Sequence, residues 1–306
     1  MDFATVFTQG AYGAVIEAFP QYREKVVVLR HGVHRYPRVT KEDARQKLFD
    51  YLTQLAPLPP SEKARLKIIE KSLSGKDTVW LGNYGFITQD KDPLQLYELG
   101  RLVQAKLPHH RVMTLFVGKI QERKDKKREV GLPILERLKS IHDGKQNLFY
   151  EDYLPERVFP YAFRALDFAL FWCENATQSG RMAHAQGTGV SIGGRNWEGV
   201  GETLELSGLP TAHTLNELGE KIAEMLREPK LEERMHELSS RYAERYSFSN
   251  QARKHLILEE AVRNGVKLPV LDGEVRDDLY TGKFSPWRFR GFGESRKGIE
   301  ISSQRC

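Results

Sequence analysis

Two cysteines in 306 residues, Cys173 and Cys306, are too few and too far apart for a disulfide framework or a cysteine-based metal site. So little cysteine suits a reducing compartment. Long apolar runs are missing too. No stretch approaches the roughly 20 residues that cross a bilayer, and the first residues lack the basic, apolar and small-residue regions of a secretory signal. The expectation is a cytoplasmic protein. There is no internal repeat, no zinc-finger spacing and no aromatic RNA-binding signature, so neither a metal nor a nucleic-acid partner is expected. Charge is not concentrated either: the net +6 is spread along the chain. That balance suits an anionic partner, either a nucleotide, a phosphorylated substrate or an acidic membrane surface touched peripherally, and it equally suits a plain solvated basic surface.

What is present is an ordinary globular composition, 40% hydrophobic, enough for one large or two modest domains. Residues 25–29, a β-branched run, read as a buried strand that ends in the donor-rich loop Arg30-His31-Gly32-Val33-His34-Arg35-Tyr36-Pro37. Thr40 and Asp43 cap a helix to about Leu55, and prolines break the chain before a charged helix near 61–74. Strands follow at 78–82, 111–117 and 147–150. Between them lie a helix over 93–106 opened by Pro93, a basic stretch over 119–128, and an amphipathic helix over 135–141. Pro155 opens a helix carrying Val158, Phe159 and Phe163. Late in the chain Thr214 and Glu217 form a capping box, two more helices span 231–246 and 249–264, and from Leu268 onward the periodicity fades into a tail that interleaves Tyr280, Phe284, Trp287, Phe289 and Phe292 with arginines. Alternating strands and helices over 25–192 predict a single α/β, doubly wound parallel sheet, Rossmann-like, with a helical C-terminal extension. The division expected is an N-terminal segment 1–24, an α/β domain 25–265 and a tail 266–306.

The most informative stretch runs from Asp167 to Glu202. It reads as a buried strand, a polar loop carrying Glu174, a short helix of small residues starting near Thr177, Gln178 and Ser179, and a second buried strand at 190–192 that ends in glycines before Gly201-Glu202. In open α/β sheets ligands sit outside the carboxyl ends of the strands. Glu174 is therefore expected at the mouth of a cleft, beside the positive end of the next helix.

In this order, residues 25 to about 260 resemble the C-terminal, donor-binding domain of retaining glycosyltransferases of the GT-B fold, the group that includes glycogen synthase and sucrose synthase. The resemblance rests on a succession: His31-Gly32-Val33 after a strand; Gly85-Phe86-Ile87 with Lys91 in the same loop; Val117-Gly118; Arg164-Ala165-Leu166-Asp167; Glu174 before a small-residue helix with Gly187; Glu202 after glycines; and Tyr246-Ser247-Phe248-Ser249 between the closing helices. It implies a nucleotide-sugar as co-substrate, with no other cofactor. It further implies that Lys91, Gly85 and the helix start at Thr177, Gln178 and Ser179 receive the pyrophosphate, that Glu174 orients the sugar, that His31 lines the catalytic cleft and that Glu202 is a further donor contact. A lysine and unpaired helix N–H groups can neutralise a phosphate in this way.

Two departures bear on activity. Family members carry a basic residue five positions before the lysine and a second carboxylate eight after the first; here those positions hold Phe86 and Met182. A thioether cannot replace a carboxylate on ribose hydroxyls, a loss of about 1.5–3 kcal/mol. His184, one helical step on, is expected to be packed rather than to replace the ligand. Only 24 residues precede Lys25, where the family has a full acceptor-binding domain, so the expectation is an acceptor-binding partner chain, use of the chain's own tail, or no catalysis. Three readings stay open: a glycosyltransferase or its donor-binding subunit; a non-catalytic binding or scaffolding module of the same fold; and a phosphomonoesterase, because Arg30-His31-Gly32 with Arg35 and Pro37 also resembles the signature of histidine acid phosphatases, with His31 as nucleophile and His213 as the nearest acid.

Overall fold

The computed structural model describes residues 2–55, 58–72, 77–121, 126–174 and 178–272. A small lobe comes first: β1 (Ala4–Val6), α1 (Gln9–Ala18) and β2 (Val26–Val28) form a βαβ unit whose strands pair in parallel, Ala4 with Val26 through Val6 with Val28. This corrects the expected place of residues 25–29. They form a buried strand, but it pairs with β1 in a separate two-stranded sheet and not with the main sheet. A boundary at residue 25 therefore falls between two strands of one unit. A β-branched run reports burial; it does not report the neighbour.

Helices α2 (Lys41–Gln54) and α3 (Pro60–Ser72) lead into the main unit. Thr40 Oγ1 accepts the Asp43 N–H at 3.0 Å, the cap expected there. The main unit then runs β3 (Thr78–Tyr84), α4 (Gln95–Lys106), β4 (Arg111–Val117), α5 (Lys126–Ile141), β5 (Asn147–Tyr150), α6 (Phe159–Arg164), β6 (Phe168–Phe171), α7 (Gly180–Thr188), β7 (Ile192–Arg195), α8 (Glu198–Ser207) and β8 (Thr211–Ala212). All six strands are parallel, in the order β5-β4-β3-β6-β7-β8. The core is continuous through the sheet: Trp80, Leu81 and Tyr84 of β3, Leu115 and Phe116 of β4, and Phe168 and Phe171 of β6 are all buried.

Strand order reverses between β3 and β6. The chain winds outward from β3 to β5 and returns on the other side of β3 to continue through β8. At such a switch point the loops leaving adjacent strands diverge and open a crevice. The residues after β3 include Gly85 and Lys91, and those after β6 include Glu174.

Two local differences from the expectation have clear causes. The strand expected at 190–192 is observed as β7, and the glycines lie inside it: a methyl at Gly194 would overlap the Phe171 carbonyl of β6, and one at Gly193 would come 2.7 Å from the Pro210 carbonyl. Beyond it, Glu202 lies within α8. The last helices among the described residues are α9 (Leu215–Arg227), α10 (Pro229–Arg245) and α11 (Phe248–Arg263), close to the expected helices. The Thr214 cap forms, with Glu217 N–H donating to Thr214 Oγ1 at 3.2 Å, while the Glu217 carboxylate reaches back one residue further than a capping box, accepting His213 N–H at 3.1 Å. The start of α11 returns to the small lobe: Val33 N–H donates to Tyr246 O and Phe248 N–H to Val33 O. Tyr280, Phe284, Trp287, Phe289 and Phe292 lie outside the described residues, as does Thr177.

Candidate functional site

The two loops at the switch point meet through their backbones. The Glu174 N–H donates to the Asp90 carbonyl at 2.7 Å, which ties the residue next to Lys91 to the residue that carries the carboxylate. The Lys91 ammonium lies 5.9 Å from the Phe86 ring centroid, and Phe86 in turn stacks on Tyr153 at 5.2 Å. Beside Glu174 the Cys173 thiol is pushed up by burial, while Arg181 and Lys91 act in the opposite direction. The lysine charge is therefore felt at the end of β6.

Glu174 itself is exposed and pairs with Arg195, Nη1 to Oε1 at 2.6 Å. The Arg195 guanidinium lies 6.0 Å from the Trp172 ring and 5.2 Å from the Trp197 ring. These cation–π contacts hold the arginine in place over the carboxyl ends of β6 and β7. Helix α7 opens at Ser179, whose Oγ accepts the Met182 N–H at 3.3 Å, so the helix begins at Gly180, three residues later than the expected start at Thr177.

Sequence reasoning missed Arg181. It sits in the first turn of α7 and donates to Tyr84 O at 2.9 Å and Asn83 Oδ1 at 3.2 Å, with Nη2 3.9 Å from Cys173 Sγ. Among the described residues no carboxylate forms an ion pair with it, and burial lowers its pKa. A cation in the first turn of a helix opposes the helix dipole. That mismatch was the available signal for a special role. Arg181 also explains Gly85: a Cβ there would lie 2.6 Å from Arg181 Cδ, at a φ of +127°. Gly85 therefore makes room for Arg181.

On the other wall are His31 and Arg30. The two line one cavity with Phe7, Gln178, Ser179 and Met182; its volume is about 10 Å³, room for roughly one water molecule. His31 Nδ1 donates to Gly32 O at 2.7 Å, and its ring meets Phe7 and Phe248 edge-on. Three expected site residues, His31, Gln178 and Ser179, are thus brought together. Glu202 is not on the rim. It pairs with Arg30 Nη1 at 2.5 Å and accepts the Gln9 and Gly10 N–H groups at 2.7 and 3.0 Å, capping α1. Its carboxylate joins α8 to the small lobe, so Glu202 faces the cavity by way of Arg30.

His184 is packed, as expected. It stacks on His34 with centroids 3.9 Å apart, meets Phe159 edge-on, and its Nδ1 accepts from the Tyr36 hydroxyl. Burial, then His34 and His31, lower its pKa to about 4, and burial raises Tyr36 to about 12. A neutral imidazole beneath a protonated phenol is the state that this geometry needs. Because the folded value lies below the ordinary value of 6.5, the unfolded chain binds the proton first as pH falls. The contribution is complete above about pH 6.5 and is lost between there and about pH 4. At about 1.4 kcal/mol per unit the ceiling is roughly 3 kcal/mol, and partial exposure reduces it to roughly 2. Urea unfolding at about pH 7 and about pH 4.5 should show that loss, and His184→Gln should flatten it; equal slopes in the two proteins would refute the assignment.

The phosphatase geometry does not assemble. Arg35 is exposed, His213 stands at the end of β8 beside Asn196 and Glu217, and the solved neighbours give that reading no support. Among the described residues no group of three or more His, Cys, Asp or Glu is placed to hold a metal ion, and no helix is long and apolar enough to cross a membrane.

No protein-family model and no curated protein matches the sequence. Solved structures do match in three dimensions. An α,α-trehalose-phosphate synthase (UDP-forming) from Burkholderia vietnamiensis superposes with a TM-score of 0.63 at 10% identity, over 86% of this chain and 60% of that one. The corresponding synthase from Burkholderia xenovorans, in complex with glucose-6-phosphate, gives 0.63 at 8% identity, over 86% and 61%. A trehalose-6-phosphate structure from E. coli, bound with UDP-2-fluoro glucose, gives 0.61 at 10% identity, over 83% and 60%. At such identities the likeness establishes the fold, that of GT-B glycosyltransferases, as the order of motifs implied. The chain spans about three fifths of the length of the solved structures it matches.

Proposed function

We propose that this chain binds a nucleotide-sugar at the β3/β6 switch point and presents the sugar for transfer to an acceptor. One observation carries the reading: the lysine loop and the glutamate loop, separate in sequence, are joined by the Glu174–Asp90 hydrogen bond beside the amino terminus of α7. The pyrophosphate would lie on the first N–H groups of α7 with Lys91 as counter-charge. Glu174 would orient the sugar hydroxyls, and His31 would face them from the small lobe. A UDP-sugar is the first donor to try, since one solved neighbour holds UDP-2-fluoro glucose.

The acceptor would be held by a partner chain seated on the small lobe. Parallel strands normally lie in sheets covered on both faces, and two strands alone are marginal. Here β1 and β2 form a sheet of two, and Phe7, Phe19, Tyr22, Leu256, Ile257 and Val266 are exposed around it and along α11. Closure of that partner over the crevice would exclude water from the transfer.

The test is calorimetric titration with UDP-, GDP- and ADP-sugars. One of them is expected to bind, more weakly by about tenfold to a hundredfold than it would with a carboxylate at Met182. Lys91→Ala should weaken it by a further tenfold or so, the worth of a charge-assisted contact. Absence of binding by every donor at millimolar concentration sinks the proposal. A second reading is favoured by one observation, the engagement of Glu174 by Arg195: a module that binds the nucleotide-sugar without transferring it. In that case Glu174→Gln leaves the protein's activity in the cell unchanged, whereas a transferase loses it.

A further inference from the structure

Arg30 is the most deeply buried guanidinium on the small-lobe side of the crevice, 4% exposed, and it is incompletely satisfied. Its Nη1 lies beside Glu202 Oε1, yet neither Nε nor Nη1 has a hydrogen bond of acceptable geometry. Buried polar groups left in this way are rare and costly. Glu202 divides its two oxygens among Arg30, Gln9 and Gly10. A single carboxylate thus stands where the α1 amino terminus and a guanidinium converge, a combination that selects anions. On the facing wall is a second helix amino terminus, that of α7, capped by Ser179, with Arg181 in its first turn. Positive potential therefore meets the cavity from both lobes, and Glu202 supplies a negative charge against it. Beside it, burial and then Glu202 raise Glu205 to about 8, so that this neighbour adds little negative charge near neutrality.

We propose that Arg30 is a phosphate-binding residue of the crevice and that Glu202 is its internal stand-in, holding the guanidinium until a phosphate group displaces it and is shared between Arg30 and the amino terminus of α7. The present cavity is too small for a phosphate, so binding parts the small lobe from α7 by the thickness of the ligand. This second cation, brought from the other lobe, takes the place left without one at Phe86. The inference deepens the nucleotide-sugar reading, and its probe is inorganic pyrophosphate so that the two fail separately.

Calorimetric titration of pyrophosphate into the full chain compares four proteins: wild type, Glu202→Gln, Arg30→Gln and the double variant. Glutamine keeps an acceptor for the α1 N–H groups and removes the competing charge, so Glu202→Gln should bind pyrophosphate about tenfold more tightly, the worth of one charge-assisted contact. Arg30→Gln should weaken binding about tenfold, and the double variant should show no gain over Arg30→Gln. Unchanged affinity in Glu202→Gln, or a gain that survives removal of Arg30, overturns the proposal. Should Arg30→Gln fail to fold, Glu202→Gln alone decides, with Arg30→Lys as the folded comparison that must lose most of the gain. Pyrophosphate binding with this pattern in a protein that binds no nucleotide-sugar leaves the subsite standing and removes the donor reading. Wild-type UDP-sugar affinity in Arg30→Gln does the reverse.

Discussion

Asp167→Ala is expected to destabilise the protein by about 3–5 kcal/mol, the usual cost of removing one partner from a buried ion pair. Asp167 stands just before β6. Its Oδ1 is 2.6 Å from Lys41 Nζ, its Oδ2 is 2.9 Å from Arg45 Nη2 and accepts the Trp80 N–H at 2.7 Å, and its own N–H donates to Trp80 O. One carboxylate therefore fixes α2 to the amino ends of β3 and β6. Removing it takes the carboxylate from Arg45, whose side chain is 11% exposed and whose Nε keeps the Ala165 carbonyl at 3.0 Å, and takes the acceptor from the Trp80 N–H. Lys41 keeps Glu232 at 3.0 Å, which holds the loss to this range. Asp167→Asn retains an acceptor for Trp80 and should cost about half as much. Urea denaturation should show the midpoint fall with an unchanged slope, and a loss below about 1 kcal/mol would mean that the network is solvated and worth little. Because this network lies at the opposite end of the strands from the crevice, ligand affinity measured below the transition should not change.

Periodicity and capping chemistry made the main sheet and its helices legible, because a fully buried strand such as β4 and a capped helix such as α9 carry their signals within their own residues. Pairing partners carry no such signal. The β-branched run of β2 looks like any strand of a parallel sheet, and only its three-residue register with β1 shows that it belongs to the small lobe. The two-residue β8 and the glycines inside β7 escaped for a related reason: the close approach of Gly194 to the Phe171 carbonyl is a tertiary fact. At the site, Lys91 and Glu174 were legible as loop residues following strands, and the meeting of their two loops through Asp90 follows from strand order. Glu202 was legible as a carboxylate after glycines, but its commitment to Arg30 and α1 depends on residues more than 170 positions away. The motif order could place it; it could not say which lobe would claim it.

That claim makes Glu202→Ala the second large effect to expect. The substitution leaves the Arg30 guanidinium buried without its carboxylate, at about 3–5 kcal/mol, and removes the cap from α1, at about 1 kcal/mol more. The cost does not have to appear as global unfolding. Glu202 joins α8 to a lobe whose own sheet has two strands, whereas the main sheet has its own continuous core, so the cheaper response is for the small lobe to open while the six-stranded unit persists. Amide exchange should then rise in β1, α1 and β2 by several orders of magnitude, with α4 and β4 nearly unchanged, and limited proteolysis should cut within residues 2–25 first. Glu202→Gln keeps a neutral oxygen for Gln9, Gly10 or Arg30 but not the carboxylate charge, and should show a smaller rise with the same pattern. If exchange instead accelerates equally in β1 and β4, the two lobes unfold as one unit, and an opening of the small lobe to admit a ligand would cost as much as unfolding the protein.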